Sequence, residues 1–410
     1  MNRRNFLSVA TLPFFVQQGK AQPVTPKKKV VWLWLGGGIS HIETFTPIPN
    51  APEEYRAVNG SIKTSIPGIM YGSDFKHVAS LAQHVSVVRS FTHGNAGHGG
   101  GTHWLMTGHD FPAADNGGDQ NMPSLGSVLA KHRGASGEKG LPSYISTGNF
   151  DIQGDDAIWL GPAFSPFRIK GEASNNLELT ISLDSLNDRK KLLASFDNIS
   201  RDLDTKGMLR GMDSIGKQSL EMIQGDLKRY FDIDREPLKL KDKYGVGLGR
   251  DLLQARMLVE SGVSFVTVNS GGWDMHSDIK KQFTQLSLRN NIDRAIATFI
   301  EDLRDRGLED EVLLVITSEF GRTPKINKDG GRDHWPNLST LAFAGGGLKM
   351  GQVIGQETDR AEFPKSNPIT PKDLVATIMQ TLGMPLDTIL TDPTGRPIKF
   401  CDGTPIKELF

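Results

Sequence analysis

Cysteine is almost missing from this chain. Cys401 is the only one in 410 residues, so no internal disulfide can form and stability must come from packing, with bound metal as a second source. Excess charge of either sign is missing as well. The 47 Lys and Arg balance the 47 Asp and Glu, which gives no support to a broad nucleic-acid or anionic-membrane surface. Several cofactor and nucleophile signatures are absent. Gly36-Gly37-Gly38 lacks the G-x-G-x-x-G spacing, no G-x-x-x-x-G-K-[ST] occurs, and no G-x-S-x-G elbow is present, so neither a nucleotide cofactor nor an α/β-hydrolase nucleophile is expected. Long apolar runs are lacking too: the stretch from Val9 to Val16 is too short to span a bilayer, and no span is expected in the mature chain.

What is present begins with a targeting segment over residues 1–21. Asn2-Arg3-Arg4-Asn5-Phe6-Leu7 resembles the twin-arginine export consensus, and Gly19-Lys20-Ala21 supplies a small-x-small cleavage site. The expected mature chain is 22–410, periplasmic or secreted, with the twin-arginine translocase as its partner during export. That route carries folded proteins, often already loaded with metal or cofactor.

Glycine is abundant at 45 residues, which points to many tight loops rather than a helical bundle. Short runs rich in Val, Ile and Leu alternate with helical patterns, the signature of a sheet covered by helices on both faces. The clearest strands are Val30 to Leu35, Val85 to Val88, Val263 to Val268, Val312 to Thr317 and Leu341 to Ala344. Ile292, Ala295, Ile296, Phe299, Ile300 and Leu303 form one helical apolar face, and a second helix is expected from Lys372 to Leu382. Residues 184–232 are charged and helix-favouring and read as a helical insertion or cap, with loops around 140–180 leading into it.

The chemistry-bearing residues follow the strands. "GGGISHIETF", "RSFTHGNAGHGGGTHWLMTGH", "NSGGWDMHSD" and "TSEFGR" each begin where a predicted strand stops. Ligands of open α/β sheets bind outside the carboxyl ends of the strands, so these four loops are expected to converge on one crevice. His41, His93, His98, His103 and His109 lie in the first two loops, while His276 and His334 lie in later motifs. Imidazoles with Glu43, Asp274 and Glu319 make a ligand set for a divalent ion such as zinc, calcium, magnesium or manganese. Each residue also has a plain structural role open to it: loop histidines hydrogen-bond backbone, Asp274 suits an Asx-turn, and Glu319 suits a pair with Arg322. Arg322 and Arg332 suit either an anion clamp or structural ion pairs.

Four motifs in order, "GGGISHIETFTP", "FTHGNAGHGGGTHWLMTGH", "ARMLVESGVSFVTVNSGGWDMHSD" and "TSEFGRTPKINKDGGRDHWPN", resemble the exported bacterial family called domain of unknown function 1501. The resemblance covers nearly the whole mature chain and places it in the alkaline phosphatase and sulfatase superfamily. It implies an α/β fold with a central, mostly parallel sheet, helices on both faces and a helical insertion, together with metal-assisted chemistry on sulfate or phosphate esters. Under it, His41, Glu43, Asp274, His276, Glu319 and His334 are expected to ligate metal. His98, which stands at the superfamily's nucleophile position, or His103 would act as nucleophile or general acid/base, Thr102 is the nearest hydroxyl, and Arg322 would hold the anionic group. The departures are Glu43 and Thr46 in aspartate places, Phe320 in the place of a metal-binding residue, and no Cys or Ser at the nucleophile position. They leave two expectations: a hydrolase of anionic esters, or a non-catalytic envelope protein that binds an anionic glycan or a partner.

Overall fold

The computed structural model describes residues 27–118, 120–137, 139–148, 150–170 and 229–410. The expected targeting segment, and all of the expected 184–232 insertion except its last four residues, lie outside the described residues. No helix among the described residues is long and apolar enough to cross a membrane.

Among the described residues eight strands form the central sheet: β1 (Lys29–Gly36), β2 (Ser86–Val88), β3 (Tyr144–Gly148), β4 (Phe167–Lys170), β5 (Phe265–Gly271), β6 (Val312–Thr317), β7 (Leu341–Gly345) and β8 (Val353–Ile354). Their spatial order is β8-β2-β7-β6-β1-β5-β3-β4, and β7 alone runs antiparallel to its neighbours. The sheet is therefore mostly parallel, as the alternating pattern predicts.

Side-chain alternation along β1 divides the core in two. Val31, Leu33 and Leu35 enter one apolar cluster with α3 (Leu248–Glu260) and α5 (Ile292–Asp305). Val30, Trp32 and Trp34 enter the other, with α1 (His98–Thr107), α2 (Leu125–Arg133) and α6 (Pro371–Thr381). Helices thus cover both faces, and β1 is central because both of its faces are apolar. The predicted face of α5 is wholly buried, and each large side chain on it contributes about 1.5–3 kcal/mol. A capping box between Thr370 and Asp373, with Pro371 in the first turn, starts α6.

The region expected as loop around 140–180 holds β3 and β4 instead. β3 pairs on both sides and is buried, yet its Ser146 and Thr147 break the apolar pattern. The amide of Asn269 donates to Ser146 Oγ at 3.1 Å, so neighbouring polar groups satisfy this strand where a run of Val or Ile would otherwise have marked it.

The register brings the site loops level. Gly36 of β1 lies opposite Gly271 of β5, and Trp34 lies opposite Thr317 of β6. Beyond these ends the chain turns at Gly37, whose φ is +105°. A Cβ there would stand 2.6 Å from the backbone nitrogen of Asp274, so glycine permits the close approach of the first and third motifs.

Candidate metal centre

Three strand-end loops, the start of α1 and a short ladder meet at one point. Glu319 follows β6, Asp274 and His276 follow β5, and His98 is the first residue of α1. A two-residue antiparallel ladder between Gly321–Arg322 and His334–Trp335 sets His334 opposite Arg322. Asp115 accepts from the backbone N–H of Gly100 at 2.6 Å, which satisfies a donor at the positive end of α1.

Each of three histidines is oriented through Nδ1. His98 donates to Glu319 Oε1 at 2.8 Å, His276 to Asp333 Oδ1 at 2.8 Å, and His334 to the carbonyl of Ala96 at 2.7 Å. These partners only accept, so Nδ1 is the donor in every ring, which turns Nε2 toward the centre, where its proton must leave before it can act as a ligand. All three Nε2 atoms surround Asp274. His276 and His334 lie 2.9 and 3.1 Å from its Oδ1, and His98 lies 3.4 Å from Oδ2. His276 Nε2 and His334 Nε2 are 3.1 Å apart.

The orienting groups are themselves held. Glu319 is almost fully buried; its Oε1 also accepts from the Gly37 N–H at 2.7 Å, and Ser318 donates to Oε2 at 2.8 Å. Asn327 donates to Asp333 at 3.2 Å. Phe320 is fully buried and stacks on His334, with ring centroids 4.3 Å apart and planes 29° apart, and it stands 5.0 Å from His98. It walls the histidine cluster and contributes no donor.

The electrostatics favour positive charge here. Hydrogen bonds to Asp274 and Glu319 raise His98 to about 9 against partial burial. Partial burial would raise Asp274, but hydrogen bonds from His334, His98 and Arg322 outweigh it and hold the carboxyl far below its ordinary range. Arg322 is fully buried and pairs with Asp274 Oδ1, while its other N–H groups reach the carbonyls of Gly37, Gly38 and Arg332. With its donors so engaged, Arg322 braces Asp274 and is not turned toward a ligand.

The residue types fit a divalent ion. His98, Asp274 and His334 each offer one ligand atom, and these atoms all lie within 4.8 Å of one another. Two imidazoles and a carboxylate, with the Glu319 carboxylate on the far nitrogen of His98 and the Ala96 carbonyl on that of His334, make a donor set that a divalent ion can take.

Not every sequence-predicted residue joins this cluster. Glu43 is buried against Arg332, whose Nη2 lies 3.1 Å from its Oε1, and His41 Nε2 lies 3.2 Å from the Ala361 carbonyl. Thr102 donates its hydroxyl to the His98 carbonyl at 2.6 Å. His103 is fully buried beside Phe111, and burial lowers it to about 4; burial lowers His93 to about 4 as well. Asp333 was missed in sequence reasoning. Its position just before His334 is its only sequence mark, and contact with His276 appears only once the ladder folds.

A cleft of about 860 Å³ opens beside the cluster, with His98, Thr102 and Glu319 in its wall. Its volume is in the range of small-molecule sites, about 300–1,000 Å³.

No curated protein matches this sequence. Among solved structures, a sulfatase from a Pseudoalteromonas species is 14% identical, with 87% of this chain and 68% of that one covered and a TM-score of 0.40. The lipoteichoic acid synthase LtaP from Listeria monocytogenes is 12% identical, with 94% and 76% covered and a TM-score of 0.42. A phosphonate monoester hydrolase from Silicibacter pomeroyi is 12% identical, with 93% and 76% covered and a TM-score of 0.41. A family match spans residues 27–410, and on that match the chain belongs to the family described as protein of unknown function DUF1501.

Proposed function

We propose that this protein is an exported, metal-dependent hydrolase of anionic esters, of the sulfate or phosphate type. The observation that carries the reading is the convergence of His98, His276 and His334 through Nε2 on Asp274, at the edge of a cleft beyond the carboxyl ends of β1, β5 and β6. The motif resemblance to the alkaline phosphatase and sulfatase superfamily and the twin-arginine-like N-terminus support it.

His98, Asp274 and His334 would hold the cation, with His276 as a further donor. When bound, a divalent cation polarises the ester and offsets its negative oxygens. The chain's own residues prepare this chemistry. Glu319 and Asp333 fix the ring orientations of His98 and His276, Arg322 braces Asp274, and Phe320 excludes water from one side of His334. The hydroxyl of Thr102, one turn along α1 from His98, has its proton committed to the His98 carbonyl.

That commitment favours one second reading, an anion-binding envelope protein without turnover. An aryl sulfate and aryl phosphate panel, assayed with zinc or manganese, separates the two. The hydrolase reading expects turnover that chelation abolishes and that His334→Ala lowers by about 100-fold or more. Stoichiometric cation with no turnover across the panel would favour the binding reading.

A further inference from the structure

The cleft continues away from the histidine cluster along α4 (Ile279–Asn290). Ile279, Phe283, Ser287 and Asn290 bury one side of this helix. Gln282, Gln285 and Arg289 recur at helical spacing on another side and line the cleft. The same lining holds the half-buried ring of Phe150 and the amide of Gln153. A ring surface and several amides in one cleft suit a polyhydroxylated ligand, whose C–H face lies on the Phe150 ring while its hydroxyls exchange hydrogen bonds with the amides. Arg289 is exposed and makes no ion pair or side-chain hydrogen bond among the described residues. Arg322, by contrast, spends its donors on the fold.

We propose that this cleft is a saccharide subsite in which Arg289 reads a second negative charge, carried on the sugar next to the one whose ester meets the histidine cluster. The inference rests on the anionic-ester reading above and names its substrate class: an acidic oligosaccharide ester rather than a simple aryl or alkyl one. The planar guanidinium suits a carboxylate or sulfate through two parallel hydrogen bonds. An arginine in the last turn of a helix also complements the helix dipole. That role needs charge alone, so Arg289→Lys preserves it while removing the fork.

The test is titration calorimetry on the full protein with added manganese and two probes. One is a chondroitin sulfate disaccharide, which carries a sulfate and a uronate carboxylate; the other is N-acetylgalactosamine 4-sulfate, which lacks the uronate. Arg289→Gln and Arg289→Lys are expected to weaken the disaccharide by about tenfold or more and to leave the monosaccharide within about twofold. Equal affinity of wild type and both variants for the disaccharide, equal weakening of both probes, or no binding of the disaccharide by wild type would overturn the subsite. Cation content of the same samples separates this failure from failure of the metal reading. Full cation occupancy without disaccharide binding removes the subsite alone. Arg289-dependent disaccharide binding without any retained cation removes the metal reading and leaves the subsite standing.

Discussion

Glu319 accepts a hydrogen bond from His98 Nδ1 at 2.8 Å while its other carboxylate oxygen accepts from Ser318. A residue expected from sequence as a ligand is thereby engaged in orienting the His98 ring. Its position one residue past Ser318 and two past the end of β6 places the carboxylate under the first turn of α1, so the sheet itself sets the orientation of His98.

Glu319→Gln tests that role. The amide keeps an oxygen for Nδ1 but loses the negative charge that draws positive charge toward His98. The expected outcome is a folded protein with unchanged thermal midpoint to within a few degrees and cation affinity lower by about 10- to 100-fold. Competition with a chromophoric chelator measures it. Unchanged affinity would return Glu319 to a purely structural role.

The Glu43 and Arg332 pair predicts the opposite division of effects. Both side chains are buried, and Arg332 also donates to the carbonyls of Arg56 and Thr323, at 2.8 and 3.0 Å, tying the first motif loop to the last. Glu43→Ala strands the guanidinium and is expected to cost about 3–5 kcal/mol in urea unfolding. Cation stoichiometry of the folded fraction is expected to stay at the wild-type value. Loss of cation at full stability would make Glu43 a ligand after all.

His41 carries a pH prediction. Burial lowers it to about 4, and the nearby Arg332 charge acts in the same direction, against the hydrogen bond to Ala361. The folded state therefore holds the neutral ring more strongly than the unfolded chain does. Its contribution is full above about 6.5 and is lost as pH falls toward 4, about 3 kcal/mol across the span. Urea midpoints of wild type and His41→Gln between pH 7.5 and 4.5 check this, and the variant is expected to show a slope shallower by about one proton. Identical slopes would contradict it.

The apolar strands were legible because β1, β5 and β6 are buried on both faces and read as runs of Val, Leu and Ile. β3 was not legible, since its Ser146 and Thr147 find partners in Asn269 and Gln254 that only the fold supplies. At the site, the strand-end placement of His98, Asp274, His276, Glu319 and His334 could be read in advance. Which of them aim and which of them donate could not be, because that depends on which ring nitrogen meets which acceptor. Phe320 shows the same limit: against a superfamily pattern it is a missing ligand, whereas in the fold it is the surface on which His334 stacks.

The central claim is that the three Nε2 atoms and Asp274 form a divalent-cation site. Crystals grown with manganese or zinc and measured at the metal's absorption edge test it most directly. The account predicts one anomalous peak bounded by His98, Asp274 and His334, with metal-to-nitrogen distances of about 2.0–2.2 Å for zinc, and no peak in Asp274→Ala crystals. Crystals that diffract equally well, contain the metal in solution and show no anomalous peak among these residues would contradict it.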